Sequence, residues 1–361
     1  MIKVLIIEPA GNLWGSERAL LDLLGGLKDL DVAICCPPNT ALQSQLYERR
    51  TRIFPYFICD LHKKSKLQRV KAAVGVLRAC LQWRPDVIYL NQAGVYGTVY
   101  PVAQVLRLPI VAHVRIFEDV HYLARHARGT TRLRGLIAIS HAVDSEIAKE
   151  PLLARIPRHC IYDGYKRAEI SSEIATKRAH NSIACVGRIV PIKGQDIVIG
   201  AMNLLGSEGL VFECLMVGDG DAKYLANLKR ASPPSVQWLG FVEDVVSLLR
   251  NTTLLVCPSR LEPLGRVIFE AWDAGAVPIV CAKSGGAAEV LMASAGGILY
   301  EQPTPESLAA GLCRCLSLDI RTRQQMIENG RAWLKENCDP LSYGKAVSEV
   351  LCKAVIGHEV T

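Results

Sequence analysis

Two glutamates with seven residues between them, Glu262 and Glu270, bracket a glycine-containing turn in the segment CPSRLEPLGRVIFEAWDAGAVPIV, residues 257–280. The apolar run 254–257 reads as the end of a buried strand. Pro258 and Pro263 exclude regular structure after it, so a helix is expected to begin near Gly265. Backbone N–H groups around Leu264, Gly265 and Arg266 would point out of that helix start, and a glycine there admits a ligand close to the backbone. A phosphate fits such a place. Carboxylates bind hydroxyl groups well and phosphates badly. Two of them flanking an anion site suit a ligand with a central diphosphate and a hydroxylated ring on either side, which describes a nucleotide sugar. Two glutamates without that context would read as solvated surface residues.

A second constellation lies upstream in CVGRIVPIKGQD, residues 185–196, where Arg188 and Lys193 sit between Gly187 and Gly194. A strand that ends in a glycine-flanked turn can aim two long cationic side chains at one point. As a nucleotide diphosphate leaves, negative charge grows on its β-phosphate, and fixed cations stabilise that state more than the ground state. On this reading no metal and no cofactor is expected. Asp219 and Asp221, in VGDGDA, are poor candidates for a magnesium-binding carboxylate pair. The same run imitates a dinucleotide fingerprint but has Lys223 where the third glycine would fall, and EPAGNLWGSER after the first strand does not fit either. A nicotinamide oxidoreductase is set aside.

The segment around Glu262 and Glu270 strongly resembles the EX7E signature of retaining GT-B glycosyltransferases of the GT4-like group, the glycosyl transferases group 1. The pattern continues through Gly275, Pro278, Ser284, Gly285, Gly286 and Glu289. The resemblance implies that Glu270 holds the ribose of the donor, Glu262 lies beside the donor sugar, and Arg188 and Lys193 hold the diphosphate. It also places Val242 near the base. GNLWGSER, residues 11–18, looks like the family's GGxE loop, which closes over donor phosphate and acceptor. Here Trp14 precedes a single Gly15, and Ser16 stands where a second glycine or alanine is common. His113, at the end of PIVAHVR, matches a histidine that lies near the sugar C6 hydroxyl in the family and so becomes a donor-positioning residue. Its neighbours Arg115, Glu118 and Asp119 are candidates to meet the acceptor. Ser140 in IAISHAV matches a further turn of the family, whereas CIYDGYK departs from the usual NGVD by carrying Asp163 in place of Asn.

The elements that must position these residues alternate. Strand-like apolar runs fall at 3–7, 31–36, 86–90, 109–114 and 136–139, and again at 183–186, 213–217, 236–239, 253–257, 277–280 and 297–300, with helical stretches between them. That is α/β alternation with short, buried, parallel strands. The polar stretch 165–181 reads as a linker. Two doubly wound Rossmann-like domains are expected, 1–165 for the acceptor and 166–339 for the nucleotide sugar, facing one another across a cleft with ligands at the carboxyl ends of the strands. The resemblance adds a last helix, within 340–361, that crosses back onto the N-terminal domain, completing a GT-B fold.

A length of 361 residues, half of them apolar, suffices for two cores. The opening MIKVLIIEP reads as a first strand, and no apolar stretch approaches the ~18 residues of a membrane span, so a cytoplasmic protein is expected. Thirteen cysteines show no CxxC pair, and many lie in apolar runs, as Cys35, Cys36, Cys185 and Cys257 do, so they read as reduced core residues. Charge is uneven: residues 1–165 carry 22 Lys+Arg against 14 Asp+Glu, and the remainder 20 against 21. No nucleic-acid motif accompanies the basic half. An anionic membrane surface or a diphosphate-bearing acceptor accounts for it better. Residues 62–84 hold Lys63, Lys64, Lys66, Arg69, Lys71, Arg78 and Arg84 with no acidic residue. Leu67, Val70, Val74, Leu77 and Leu81 recur there at helical spacing, which predicts a core-facing stripe with the cations on its solvated face.

The function these observations favour is a retaining, metal-independent transfer of a sugar from a UDP- or GDP-sugar to an acceptor hydroxyl, on a bacterial glycan or lipid-linked acceptor. A glycoside hydrolase would use two carboxylates but has no need of a cation pair built for diphosphate. A nucleotide-sugar epimerase on the same fold, or a noncatalytic partner subunit of a glycosyltransferase complex, are the alternatives.

Overall fold

The computed structural model describes residues 1–56, 66–128, 131–167 and 182–359. Two compact units divide the chain: Met1–Lys166 with Cys338–Thr361, and Arg167–Asn337. Most of the expected linker lies outside the described residues.

Among the described residues the first unit holds seven parallel strands, β1 (Lys3–Ile7), β2 (Asp31–Cys36), β3 (Arg52–Pro55), β4 (Val87–Leu90), β5 (Ile110–Val114), β6 (Leu133–Ala138) and β7 (Arg158–Cys160). Their order is β3-β2-β1-β4-β5-β6-β7. The second unit has β8 (Ser182–Val186), β9 (Glu213–Val217), β10 (Val236–Gly240), β11 (Leu254–Cys257), β12 (Val277–Cys281) and β13 (Ile298–Tyr300), ordered β10-β9-β8-β11-β12-β13. Helices connect the strands: α1 (Gly15–Leu24), α2 (Ala41–Glu48), α3 (Lys66–Trp83), α4 (Tyr96–Leu106), α5 (Phe117–His126) and α6 (His141–Lys149) in the first unit. The second has α7 (Gln195–Ser207), α8 (Ala222–Ala231), α9 (Val245–Arg250), α10 (Arg266–Ala274), α11 (Gly286–Ser294), α12 (Pro305–Ser317) and α13 (Ile320–Asn337), and α14 (Pro340–Glu359) returns to the first.

Each sheet reverses its winding once, between β1 and β4 in the first unit and between β8 and β11 in the second. Loops leaving two neighbouring strands turn opposite ways there and leave a crevice at the strands' carboxyl ends, the position at which doubly wound sheets bind ligands. Central strands are buried on both faces: β4, β5, β11 and β12 carry no residue outside the buried class. Their sequences are accordingly continuous apolar runs. The strands that sequence patterning does not reveal, β3 and β7, are the two edges of the first sheet. Their residues are half-buried or exposed, so they carry no such run.

Helix α14 supplies Tyr343, Val347, Val350, Leu351 and Ala354 to the core that also contains Val4, Ile6, Leu20 and Leu23. Its approach to the segment after α1 is closed by two glycines. A Cβ on Gly26 would lie 2.7 Å from the Gly344 Cα. The twelve described cysteines are free thiols, and nine of them are buried.

Helix α3 overturns the orientation expected from its sequence. Leu67, Val70, Val74 and Leu81 are 65%, 59%, 41% and 60% exposed, whereas Ala72, Val76, Ala79, Cys80 and Trp83 are buried. Apart from Trp83 at the end of the helix, the side chains that face the core are small, where α3 packs on α4, β2 and β3. No described helix is long and apolar enough to cross a membrane.

Because two backbones meet at Gly26 and Gly344, Gly344→Val should destabilise the protein by about 1–3 kcal/mol in urea unfolding. Gly357, in the same helix with open space around it, is the control. Gly357→Ala should be neutral or stabilising by up to about 1 kcal/mol.

Candidate functional site

In the second unit the loops after β8 and β11, the two strands at the winding reversal, carry the candidate donor residues. Cys257 ends β11, and Gly265 adopts the left-handed conformation (φ 82°) before α10 begins at Arg266. No side chain caps that helix start. A Cβ at Gly265 would also press on Ala287 of α11 and on Ile268, so glycine serves both the turn and the packing of two helix starts. Glu262 is held from its backbone: its N–H donates to the Ser284 carbonyl at 2.6 Å, and it forms a parallel bridge with Gly285.

The loop after β8 folds onto the same place. Gly194 is left-handed (φ 72°), and a Cβ there would collide with the Pro258 carbonyl oxygen. Arg260 pairs with Asp196 at 2.6 Å and donates through its backbone N–H to the Ile192 carbonyl. These contacts bring Lys193 to Glu262: the ammonium Nζ lies 2.6 Å from Oε2. Burial on its own would lower the Lys193 pKa, but the Glu262 carboxylate outweighs it and raises the value above its ordinary one, so the ammonium is cationic throughout the neutral range. Ser259 Oγ donates to the same Oε2 at 2.8 Å. Ser259 was not among the residues singled out by sequence, although its place three residues before Glu262 on a strand-end loop was the available signal.

Arg188, in the same loop as Lys193, is exposed, and its carbonyl accepts from Gln195 Nε2 at 2.9 Å. Glu270 is half-buried within α10, Leu264 is buried, and Val242 is half-buried between β10 and α9. The VGDGDA turn is structural. Gly187 N–H donates to the Val217 carbonyl, Ile189 N–H to the Asp219 carbonyl, and Asp221 caps α8 by accepting from Tyr224 N–H at 2.7 Å. Among the described residues no group of three His, Cys, Asp or Glu side chains is placed to hold a metal ion.

In the first unit the candidates lie after β1 and at the end of β5, and His113, Arg115 and Asp119 differ from expectation. His113 is inside β5, opposite Ile137 of β6, and has no exposed surface. Its Nδ1 is 2.7 Å from the Tyr89 hydroxyl, and burial followed by the charge of Arg115 pushes its pKa well below 6.5. It is a neutral imidazole sealed within the sheet. Arg115 is also buried. Its guanidinium donates to Asp163 (2.5 Å), to the Asn91 carbonyl (2.7 Å) and side chain (3.0 Å), and to the Tyr343 hydroxyl of α14 (3.2 Å). Asp119 is buried as well, and of the proposed acceptor group only Glu118 is exposed. The Asp in place of the usual Asn at 163 thus has a reason, since a buried guanidinium needs a carboxylate partner. Gly15 and Ser16 belong to the first turn of α1 rather than to a loop before it, and Trp14 occupies the cap position without a capping side chain.

Beside this network lie two buried carboxylates that sequence patterning did not single out, Glu8 at the end of β1 and Glu17 in α1, both with no exposed surface. Glu8 accepts from Ala10 N–H (2.9 Å), Gln92 Nε2 (2.7 Å) and Asn91 Nδ2 (2.5 Å). Gln92 also donates to Ser16 Oγ at 3.2 Å, and Ser16 Oγ donates to Glu17 at 3.0 Å. Burial, and then the charge of Glu17, push the Glu8 pKa up to about 8 despite these donors.

Residues 166–333 match the family described as Glycosyl transferases group 1. A GDP-mannose-dependent monoacylated alpha-(1-6)-phosphatidylinositol monomannoside mannosyltransferase of Corynebacterium glutamicum is 32% identical over 181 residues, 47% of this chain and 46% of that protein. A glycogen synthase of Thermodesulfovibrio yellowstonii is 29% identical over 181 residues, 49% of this chain and 35% of that one. The chain thus spans less than half the length of these two relatives. In fold, HepE of Anabaena, solved in complex with UDP-glucose, superposes with a TM-score of 0.82 at 21% identity, covering 98% of this chain and 100% of that one. The fold is that of the GT-B glycosyltransferases. Glu262 and Glu270 both lie within the residues that match the glycosyl transferases group 1 family.

A carboxyl group whose pKa is raised on folding binds its proton more tightly in the native state. Its contribution is fully present below the unfolded value of 4.5 and is lost as pH rises through about 8. Relative to Glu8→Gln, the melting temperature of the wild type should therefore fall from pH 5 to pH 8 in a calorimetric pH series.

Proposed function

We propose that the protein is a retaining glycosyltransferase that moves a sugar from a nucleotide diphosphate sugar to an acceptor hydroxyl. The observation that carries this reading is the Lys193–Glu262 pair at 2.6 Å, set at the winding reversal of the second sheet beside the uncapped start of α10. A cation, a carboxylate and a helix N-terminus then serve one ligand, the first and last for its diphosphate and the second for a sugar hydroxyl. The names of two relatives support this class of donor: HepE was solved with UDP-glucose, and the Corynebacterium enzyme is GDP-mannose-dependent.

In this reading the leaving diphosphate is met by Lys193 and by the exposed Arg188 in the same loop, and turnover proceeds without an added metal. Glu262 positions the sugar and assists the oxocarbenium-like state, while Glu270 holds the ribose. The acceptor proton passes to the departing phosphate on the face from which it leaves, so no protein base is assigned. The nucleotide sugar is allotted to the unit Arg167–Asn337 and the acceptor to the unit Met1–Lys166. His113 then acts through the sheet end rather than by proton transfer, since its imidazole stays neutral. A glycan or lipid-linked acceptor, met at an anionic cytoplasm-facing surface, agrees with the net positive charge of residues 1–165.

Lys193→Ala should lower turnover about 10²–10³-fold, a loss of roughly 2.7–4 kcal/mol, as for removal of one fixed donor to a developing anion. Thermal shifts against a panel of UDP- and GDP-sugars select the donor, and nucleotide release in the presence of candidate acceptors, with and without EDTA, reads the reaction. Retention of more than a tenth of wild-type turnover by Lys193→Ala would refute the role of the cation. Epimerisation without acceptor would replace transfer by isomerisation, and absence of any sugar-nucleotide binding would reduce the chain to a noncatalytic partner.

A further inference from the structure

Helix α3 has two apolar sides, and only one of them is used by the fold. At about 100° per residue, Ala72, Val76, Ala79 and Trp83 project together into the first unit. Leu67, Val70, Val74 and Leu81 project roughly opposite, and all four are more than two-fifths exposed. Single exposed aliphatic residues are ordinary on a protein surface, but a row of them along an 18-residue helix is not. The charges beside the row are of one sign. Lys71 and Arg78, both exposed, follow its edge one helical face away, and no acidic residue occurs from 62 to 84.

Basic character continues past the end of the helix. Trp83, its last residue, lines a cavity of about 490 Å³ together with Arg49, Arg50 and Arg52, with Asp31 as the acidic residue of the lining. The Trp83 ring carries the Arg52 guanidinium 4.4 Å from its centroid and the Lys3 ammonium at 4.8 Å. A protein partner would require a matching apolar strip with acidic flanks. A bilayer containing anionic lipid supplies both features at once, acyl chains for the row and headgroup phosphates for the cations.

We propose that α3 lies flat on an anionic bilayer, with Leu67, Val70, Val74 and Leu81 entering the acyl-chain boundary and Lys71 and Arg78 on the headgroup phosphates. The inference deepens the proposed meeting with a lipid-linked acceptor, but the contact itself needs neither donor nor acceptor. Cations bring the protein to the surface and the aliphatic row retains it there. Binding should therefore weaken with salt without vanishing, because screening acts only on the first contribution.

The test uses the full chain and vesicles of phosphatidylcholine with or without phosphatidylglycerol, read by sedimentation. The wild type should bind the anionic vesicles and not the neutral ones. The triple variant Leu67→Gln, Val74→Gln, Leu81→Gln changes only exposed positions and should lower the vesicle-bound partition by at least roughly tenfold, with unaltered circular dichroism. Lys71→Glu with Arg78→Glu should abolish the preference for anionic lipid. Equal binding to both vesicle types, or undiminished binding by the triple variant, would overturn the proposal. So would a dimer in sedimentation equilibrium that the triple variant dissolves while vesicles bind nothing. Thermal shift by sugar nucleotides, measured on the same variants, keeps the two readings separate: it should be unchanged by α3 substitutions, and its absence in the wild type would count against the donor reading alone.

Discussion

The ion pair between Lys193 and Glu262 organises the carboxyl end of the second unit's sheet. It joins the loops after β8 and β11, which the reversal of the sheet sends in opposite directions. Little else could hold the two side chains so close, because both are long and one is half-exposed. The backbone does the preliminary work: Gly194 turns against Pro258, Arg260 reaches back to Ile192, and Glu262 is bound to Ser284. With those contacts made, the ammonium and the carboxylate meet with little further loss of side-chain freedom, and Ser259 fixes the oxygen they share. A diphosphate would compete with Glu262 for Lys193, which leaves the carboxylate free to take a sugar hydroxyl. The pair is thus a structural clasp between the two loops and, in the proposed reading, the resting form of the donor site.

The first unit meets the opposite requirement. Its strand ends are filled by buried polar groups that satisfy one another. Arg115 is neutralised by Asp163 and anchored by Asn91 and Tyr343, and the last of these comes from α14. A buried guanidinium stripped of its partner is costly, so the returning helix is tied to the sheet by polar chemistry as well as by its apolar face. Glu8 and Glu17 extend the same network to the start of α1, where the candidate loop residues Gly15 and Ser16 stand. Side chains that sequence position offered as acceptor contacts are here the internal frame of the unit. Of the residues offered as acceptor contacts Glu118 of α5 stays exposed, as does the outward side of α3.

Much of the architecture was legible in the chain. The central strands are apolar throughout because both of their faces are covered, and the edge strands β3 and β7 escaped notice because theirs are not. The link between Glu262 and Glu270 was visible as a spacing, and the glycine at 265 as a turn. Helix α3 shows where such reasoning ends. Its large aliphatic residues recur with helical period, and so do its small ones, and periodicity cannot tell which set faces inward. The distance to the neighbouring helix and sheet decides that.

The sequence by itself determined the alternation of strands and helices, the glycine turns at their ends and the chemical types gathered there, because these follow from local backbone preference and from burial on both faces of a parallel sheet. Tertiary structure alone decided which of those groups meet. Lys193 reaches Glu262 across 69 residues and Arg115 reaches Tyr343 across 228, and no local rule records a contact between segments so far apart. It also decided that Arg115 and His113 are enclosed while the row from Leu67 to Leu81 is not, since exposure depends on what packs against a residue and not on the residue alone.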